Sequence, residues 1–172
     1  MTASIVDENV PIVANDVARL SQRKQPLAPQ ADNKCRLAAI QRLRQIISSG
    51  HVLIDDAGSL LAGYRQYLSG KGQPGVGDAF LKYLADNEYN EQKVTRIALS
   101  INNDRTFAAF PEVPQLATFD AADRIFVALA LTAPIDSTVV NAVDSDYSHH
   151  SQALVQFGVR VEELCPETLK AK

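Results

Sequence analysis

The pentapeptide ASIVD, residues 3–7, runs four small or apolar residues into an acid, and the chain repeats the arrangement twice, as HVLIDD at 51–56 and STVVNAVD at 137–144. Short, near-continuous apolar runs of this kind mark parallel strands buried on both faces. Strands are predicted over Ala3–Val6, Gly50–Ile54, Val94–Ile101, Ser137–Val143 and Gly158–Leu164. Between them, apolar residues recur at helical spacing over Lys34–Ser48, Ala57–Ser69, Gly77–Asn87, Asp120–Ala133 and Ser148–Phe157. Strands alternating with helices imply an α/β fold: one domain over residues 1–172, with a central parallel sheet of about five strands flanked by helices and joined by right-handed crossovers. Two proline-bearing stretches, Asp16–Asn33 and Asn102–Phe119, read as surface excursions and not as linkers.

The composition is that of an ordinary globular chain. Its 172 residues are 46% hydrophobic and 22% charged, enough for one real core. No apolar run approaches the roughly 20 residues of a membrane span. The opening MTASIVDENV has neither a basic n-region nor a long apolar h-region, so a cytoplasmic location is expected. Two cysteines, Cys35 and Cys165, lie far apart without a CxxC pattern, and reduced thiols are expected of them. The net charge of −3 hides an asymmetry: between Arg19 and Arg44 seven basic residues face a single acid, Asp32. That segment is either a phosphate-facing surface, with Arg23, Lys24 and Arg36 as contacts, or a solvated charged hairpin. The glycines at 70, 72, 75 and 77 precede a helix but lack the strand–GxxxxGK[ST]–helix order of a phosphate loop, so they read as a connector.

The acids carry the chemistry. Asp7 ends the first apolar run, Asp55 and Asp56 the second, and Asp144 the fourth, with Asp146 two positions on. In an open parallel sheet the C-terminal ends of the strands share one edge, where ligands bind. Asp123 joins them from the start of a helix. Asp120, just before that helix, is placed to cap it. Several carboxylates in one cleft repel each other unless a cation lies among them, and an all-oxygen set suits Mg²⁺ or Mn²⁺. Such a site suits phosphodiester hydrolysis. His51, His149 and His150 lack zinc-ligand spacing.

These residues, in this order, resemble the PIN-domain family of metal-dependent ribonucleases. IVDENVPIVAND is similar to that family's first motif, with Asp7, Glu8 and Asn9 in its acid, Thr/Ser and Asn places. FDAADRIFVALAL resembles the third motif, with Asp123, Ala128 and Ala130 in register. NAVDSDYSHHSQALVQFGVRVEELCP resembles the closing segment. The resemblance implies a Mg²⁺- or Mn²⁺-dependent endoribonuclease acting on RNA, a toxin or defence effector held by an inhibitory or effector partner protein. It implies Asp7, Asp123, Asp144 and Asp146 as catalytic residues, the first three as metal ligands, and Asn9 and Asp120 in support. A homodimer through the apolar residues of 107–119 is a further expectation.

One motif departs. The family carries a Glu on the helix after the second strand, just before an aromatic residue. Here LIDDAGSLLAGYRQYL has Tyr64 but Gly63 before it. A glycine inside a helix costs about 1 kcal/mol relative to alanine. Its place beside the Leu60, Tyr64 and Tyr67 stripe means that a side chain there would reach the pocket. The gap implies weakened metal binding and slow cleavage, or a catalytically silent module that binds RNA or a protein. Two other readings are weaker. A receiver-like phosphoacceptor, prompted by HVLIDDAG, has its acids on the wrong strand and lacks the required Lys. A cysteine hydrolase on Cys165 has no activating group beside the thiol.

Overall fold

The computed structural model describes residues 1–170. Strand β1 (Ala3–Val6) leads into α1 (Asn9–Ser21), α2 (Asn33–Ser49) and β2 (Val52–Asp55). Helices α3 (Ser59–Arg65) and α4 (Val76–Asn87) precede β3 (Val94–Ile97). A single helical turn at Ala121–Asp123 opens into α5 (Arg124–Thr132), followed by β4 (Ser137–Asn141). Helices α6 (Asp146–His149) and α7 (Ser151–Gln156) lead to β5 (Val161–Glu163) and a closing α8 (Pro166–Lys170). The five strands form one parallel sheet in the order β3-β2-β1-β4-β5. The expected α/β class, strand number and helical flanks are all present.

The order of the strands decides where a site forms. The chain builds outward from β1 through β2 to β3, then crosses back to place β4 on the other side of β1. The crevice between the carboxyl ends of β1 and β4 is therefore the switch point of the sheet, where open α/β folds bind ligands. Val6 lies opposite Val140, and the Asp7 amide donates to the Val140 carbonyl at 3.0 Å. Asp7 and the segment after β4 are thus locked in register. Helix α5 is apolar around its whole circumference, with Ile125 through Leu129 buried, as expected of a helix enclosed by other elements. It packs on β1, β2 and β4 and aims its first turn at the same crevice.

Several expectations are corrected. The stretch from Asp16 is helical as far as Ser21, because α1 continues from Asn9 and only the chain beyond it is irregular. Pro11 hides this helix from a pattern reading, yet it stands in the first turn, where its missing N–H has no intrahelical partner to lose. The third strand stops at Ile97, and Ile101 instead bridges Phe107. Tyr67 leaves the apolar stripe: α3 ends at Arg65, and Tyr67 is 49% exposed in the following turn.

The cysteines are not free thiols. Cys35, in the first turn of α2, is bonded to Cys165, just beyond β5. Their separation of 130 residues conceals the pairing in the sequence. It arises because α2 packs beside the β5 edge, where Arg42 also reaches Glu162 in an ion pair of 2.9 Å. No helix among the described residues is long and apolar enough to cross a membrane.

Candidate metal centre

Asp7, Asp123 and Asp144 come together. One carboxylate oxygen from each lies within 4.8 Å of the other two. They line an open cleft of about 350 Å³ with Glu8, Asn9, Gln30, Tyr67 and Ser145. Three elements supply the acids: the end of β1, the turn entering α5, and the loop after β4. Asp7 and Asp123, 116 positions apart, meet only because the strand order reverses at this crevice.

Asp7 is 3% exposed and fully committed. Its Oδ1 accepts from the Asn9 backbone and side-chain nitrogens at 2.9 and 2.6 Å, and its Oδ2 accepts from the Tyr147 hydroxyl at 2.7 Å. Burial pushes its pKa up to about 7, against these two donors and with the charges of Asp144 and Glu8 adding to the rise. Asp123 is pushed further, to about 9, by burial first and then by the charge of Asp7 and a hydrogen bond with Asp144. Without a cation the cluster must keep protons that free carboxyls have lost at neutral pH.

Behind the acids lies an amide network. Asn141, the last residue of β4, is 0% exposed. Its Oδ1 accepts from Asn9 Nδ2 at 2.9 Å and from the Asp144 amide at 3.2 Å. Its Nδ2 donates to the Asp144 carbonyl at 2.7 Å and to Glu163 at 2.6 Å. Asn9 in turn accepts from the Ala142 amide at 2.8 Å. These bonds set the turn that presents Asp144 and tie it to the residue that orients Asp7. Asn9 thus joins Asp7 to Asn141. Asn141 and Tyr147 were not singled out, although a buried Asn closing an otherwise apolar strand was the available signal.

Comparisons with family models, characterised proteins and solved structures return no match.

The other candidate residues fall elsewhere. Asp146 turns away from the three acids and accepts from the Asp120 amide at 2.7 Å, holding the turn that leads to Asp123. Asp120 caps that turn, accepting from the Ala122 amide at 2.9 Å. Asp55 is spent in capping α3 through the Ser59 and Leu60 amides. Of the basic residues, Arg36 is 9% exposed, is bonded to Asn33 and has a buried Nε with no partner, so it offers no surface contact. Arg23 and Lys24 are exposed in the turn after α1 and form no ion pair among the described residues.

The donor set fits a small hard cation. Three carboxylates at this spacing, without thiolate or imidazole, match the preferences of Mg²⁺ and Mn²⁺. A cation would also offset the burial and the mutual repulsion that raise Asp7 and Asp123.

Gly63, on α3, faces the side chain of Glu8. A side chain at 63 would run straight into the Glu8 carboxylate. The place beside Gly63 is filled by a carboxylate from α1.

Proposed function

We propose that this chain is a divalent-metal-dependent endoribonuclease of PIN type, hydrolysing RNA phosphodiester bonds with Mg²⁺ or Mn²⁺. The convergence of Asp7, Asp123 and Asp144 at the switch point of a parallel sheet carries this reading. A cation held there would polarise a phosphate oxygen and lower the pKa of bound water.

The chain's own groups have separable tasks. Asn9 and Tyr147 keep both Asp7 oxygens oriented toward the cleft. Asn141 holds Asp144 in place. The openness of the cleft admits a polymer, and the exposed ring of Tyr67 offers a surface on which a base stacks. Helix α1 runs from the cleft at Asn9 toward the basic turn at Arg23 and Lys24, about 18 Å away at 1.5 Å per residue. The segment returning from that turn brings Gln30 back to the cleft. A strand of RNA lying along α1 would meet phosphate contacts at one end and the acids at the other.

Asp146 serves the reading as a positioning residue. A toxin or defence role under a partner protein, a homodimer through 107–119 and a cytoplasmic location belong to the same proposal. The Cys35–Cys165 bond bears on the last of these, because disulfides persist mainly in oxidising compartments. The fraction of bonded chain after rapid alkylation of lysed cells measures it.

A silent RNA- or protein-binding module is the second reading, favoured by the lack of a side chain at Gly63. The deciding assay is cleavage of a mixed RNA pool in Mg²⁺, Mn²⁺ or EDTA, with Asp123→Asn and Asp144→Asn as controls. Metal-dependent cleavage lost in both variants supports the nuclease. RNA binding without cleavage at high protein supports the silent module.

A further inference from the structure

Glu8 stands at the N-cap of α1, yet it makes no capping hydrogen bond. Its carboxylate has no hydrogen bond or ion pair among the described residues. It is half-buried in the cleft that Asp7, Asp123 and Asp144 line. Across from it, the Tyr64 hydroxyl donates to the Val6 carbonyl, which clamps α3 against the end of β1. Gly63, next to Tyr64, is thereby brought against Glu8, and the Glu8 carboxylate lies where a side chain on 63 would begin. Any residue larger than glycine at 63 pushes that carboxylate out. This accounts for a glycine inside a helix, where the backbone gains nothing from it.

We infer that Glu8 is the fourth carboxylate of the metal centre, delivered from the start of α1 across the bare backbone of α3 at Gly63, and that the pair Glu8–Gly63 acts as a unit. The inference rests on the metal-dependent reading above and deepens it. It removes the expectation that Gly63 leaves the site short of an acid. Capping, the ordinary use of an acid at this position, is not what Glu8 does. Glu8 lies in the same cleft but outside the trio whose oxygens come within 4.8 Å of one another, so it would serve the cation through that cation's water or by turning the flexible end of its side chain inward.

The test is calorimetric titration of the full, EDTA-stripped chain with Mn²⁺, alongside thermal unfolding without metal. Glu8→Gln keeps the shape and removes the charge, so its Mn²⁺ Kd is expected to rise at least tenfold. Gly63→Ala displaces only the flexible end of Glu8 and improves the helix. It is expected to weaken Mn²⁺ at least threefold without lowering the unfolding midpoint. Glu91→Gln, on the exposed surface, leaves the Kd unchanged. If both Glu8→Gln and Gly63→Ala stay within twofold of the parent while Asp123→Asn abolishes binding, the role of Glu8 is refuted and the metal centre stands. If the parent takes up no Mn²⁺, both are refuted.

Discussion

A metal-free cluster of carboxylates should make the protein less stable as pH rises, and the size of the loss can be worked from Asp7. A carboxyl whose folded pKa is raised binds its proton more tightly in the folded chain. Its contribution is complete below the unfolded value near 4 and is lost as pH climbs through the folded value. For Asp7 that folded value is about 7 against an ordinary 3.8. Between pH 5.5 and 8.0 this single group costs about 2 kcal/mol of folding stability. Asp123, raised to about 9, acts in the same direction. Urea unfolding in EDTA at the two pH values measures the loss. Mn²⁺ at a hundred times its Kd adds about 2.7 kcal/mol, and adds it chiefly at the higher pH, where the ligands are ionised. Asp123→Asn removes a carboxyl that burial and the charge of Asp7 raise to about 9, so in EDTA the variant should lose less stability than the parent between pH 5.5 and 8.0. It should also gain nothing from Mn²⁺. A parent whose stability in EDTA is flat from pH 5.5 to 8.0, with Asp123→Asn destabilised at both, would refute the repulsive cluster.

Other perturbations separate the remaining parts. Asn141→Ala strands donors and acceptors of Asn9, Asp144 and Glu163 in a buried place, so it should cost about 2–3 kcal/mol in urea unfolding and weaken Mn²⁺ binding as well. Reducing Cys35–Cys165, or replacing both by Ser, opens a loop with a separation of 130 residues. The loss should be up to about 5 kcal/mol by the chain-entropy argument, read as a lowered urea midpoint. Arg23→Ala with Lys24→Ala should weaken RNA binding and make it less salt-dependent in filter binding, with stability unchanged. Arg36→Ala should instead alter thermal stability and leave the salt slope of RNA binding alone, because that guanidinium is buried.

The fold was legible in the sequence because its signals are local. Apolar runs such as SIV and VLI must be buried on both faces wherever they lie, and parallel pairing between helices is the arrangement that does so. The acids that close those runs were legible for the same reason. Position at a strand's carboxyl end is a property of the strand itself, and the sheet edge follows from it. Helix α1 was missed because Pro11 is a helix breaker everywhere except in the first turn, and the first turn cannot be recognised until the helix is known.

What the sequence could not determine is which acids face one another. Asp55, Asp144 and Asp146 look alike as neighbours of apolar runs, yet one caps α3, one enters the cleft and one holds the turn before Asp123. The choice depends on which backbone N–H groups lie within reach, and those belong to other elements. The disulfide and the Glu8–Gly63 contact are of the same kind. Each joins residues whose separation along the chain is large and whose approach is set by how helices seat on the sheet. Periodicity reports the face a residue takes on its own element. Only the packing of elements against each other decides what that face meets, and in this protein it lays Glu8 across a glycine that had seemed a gap.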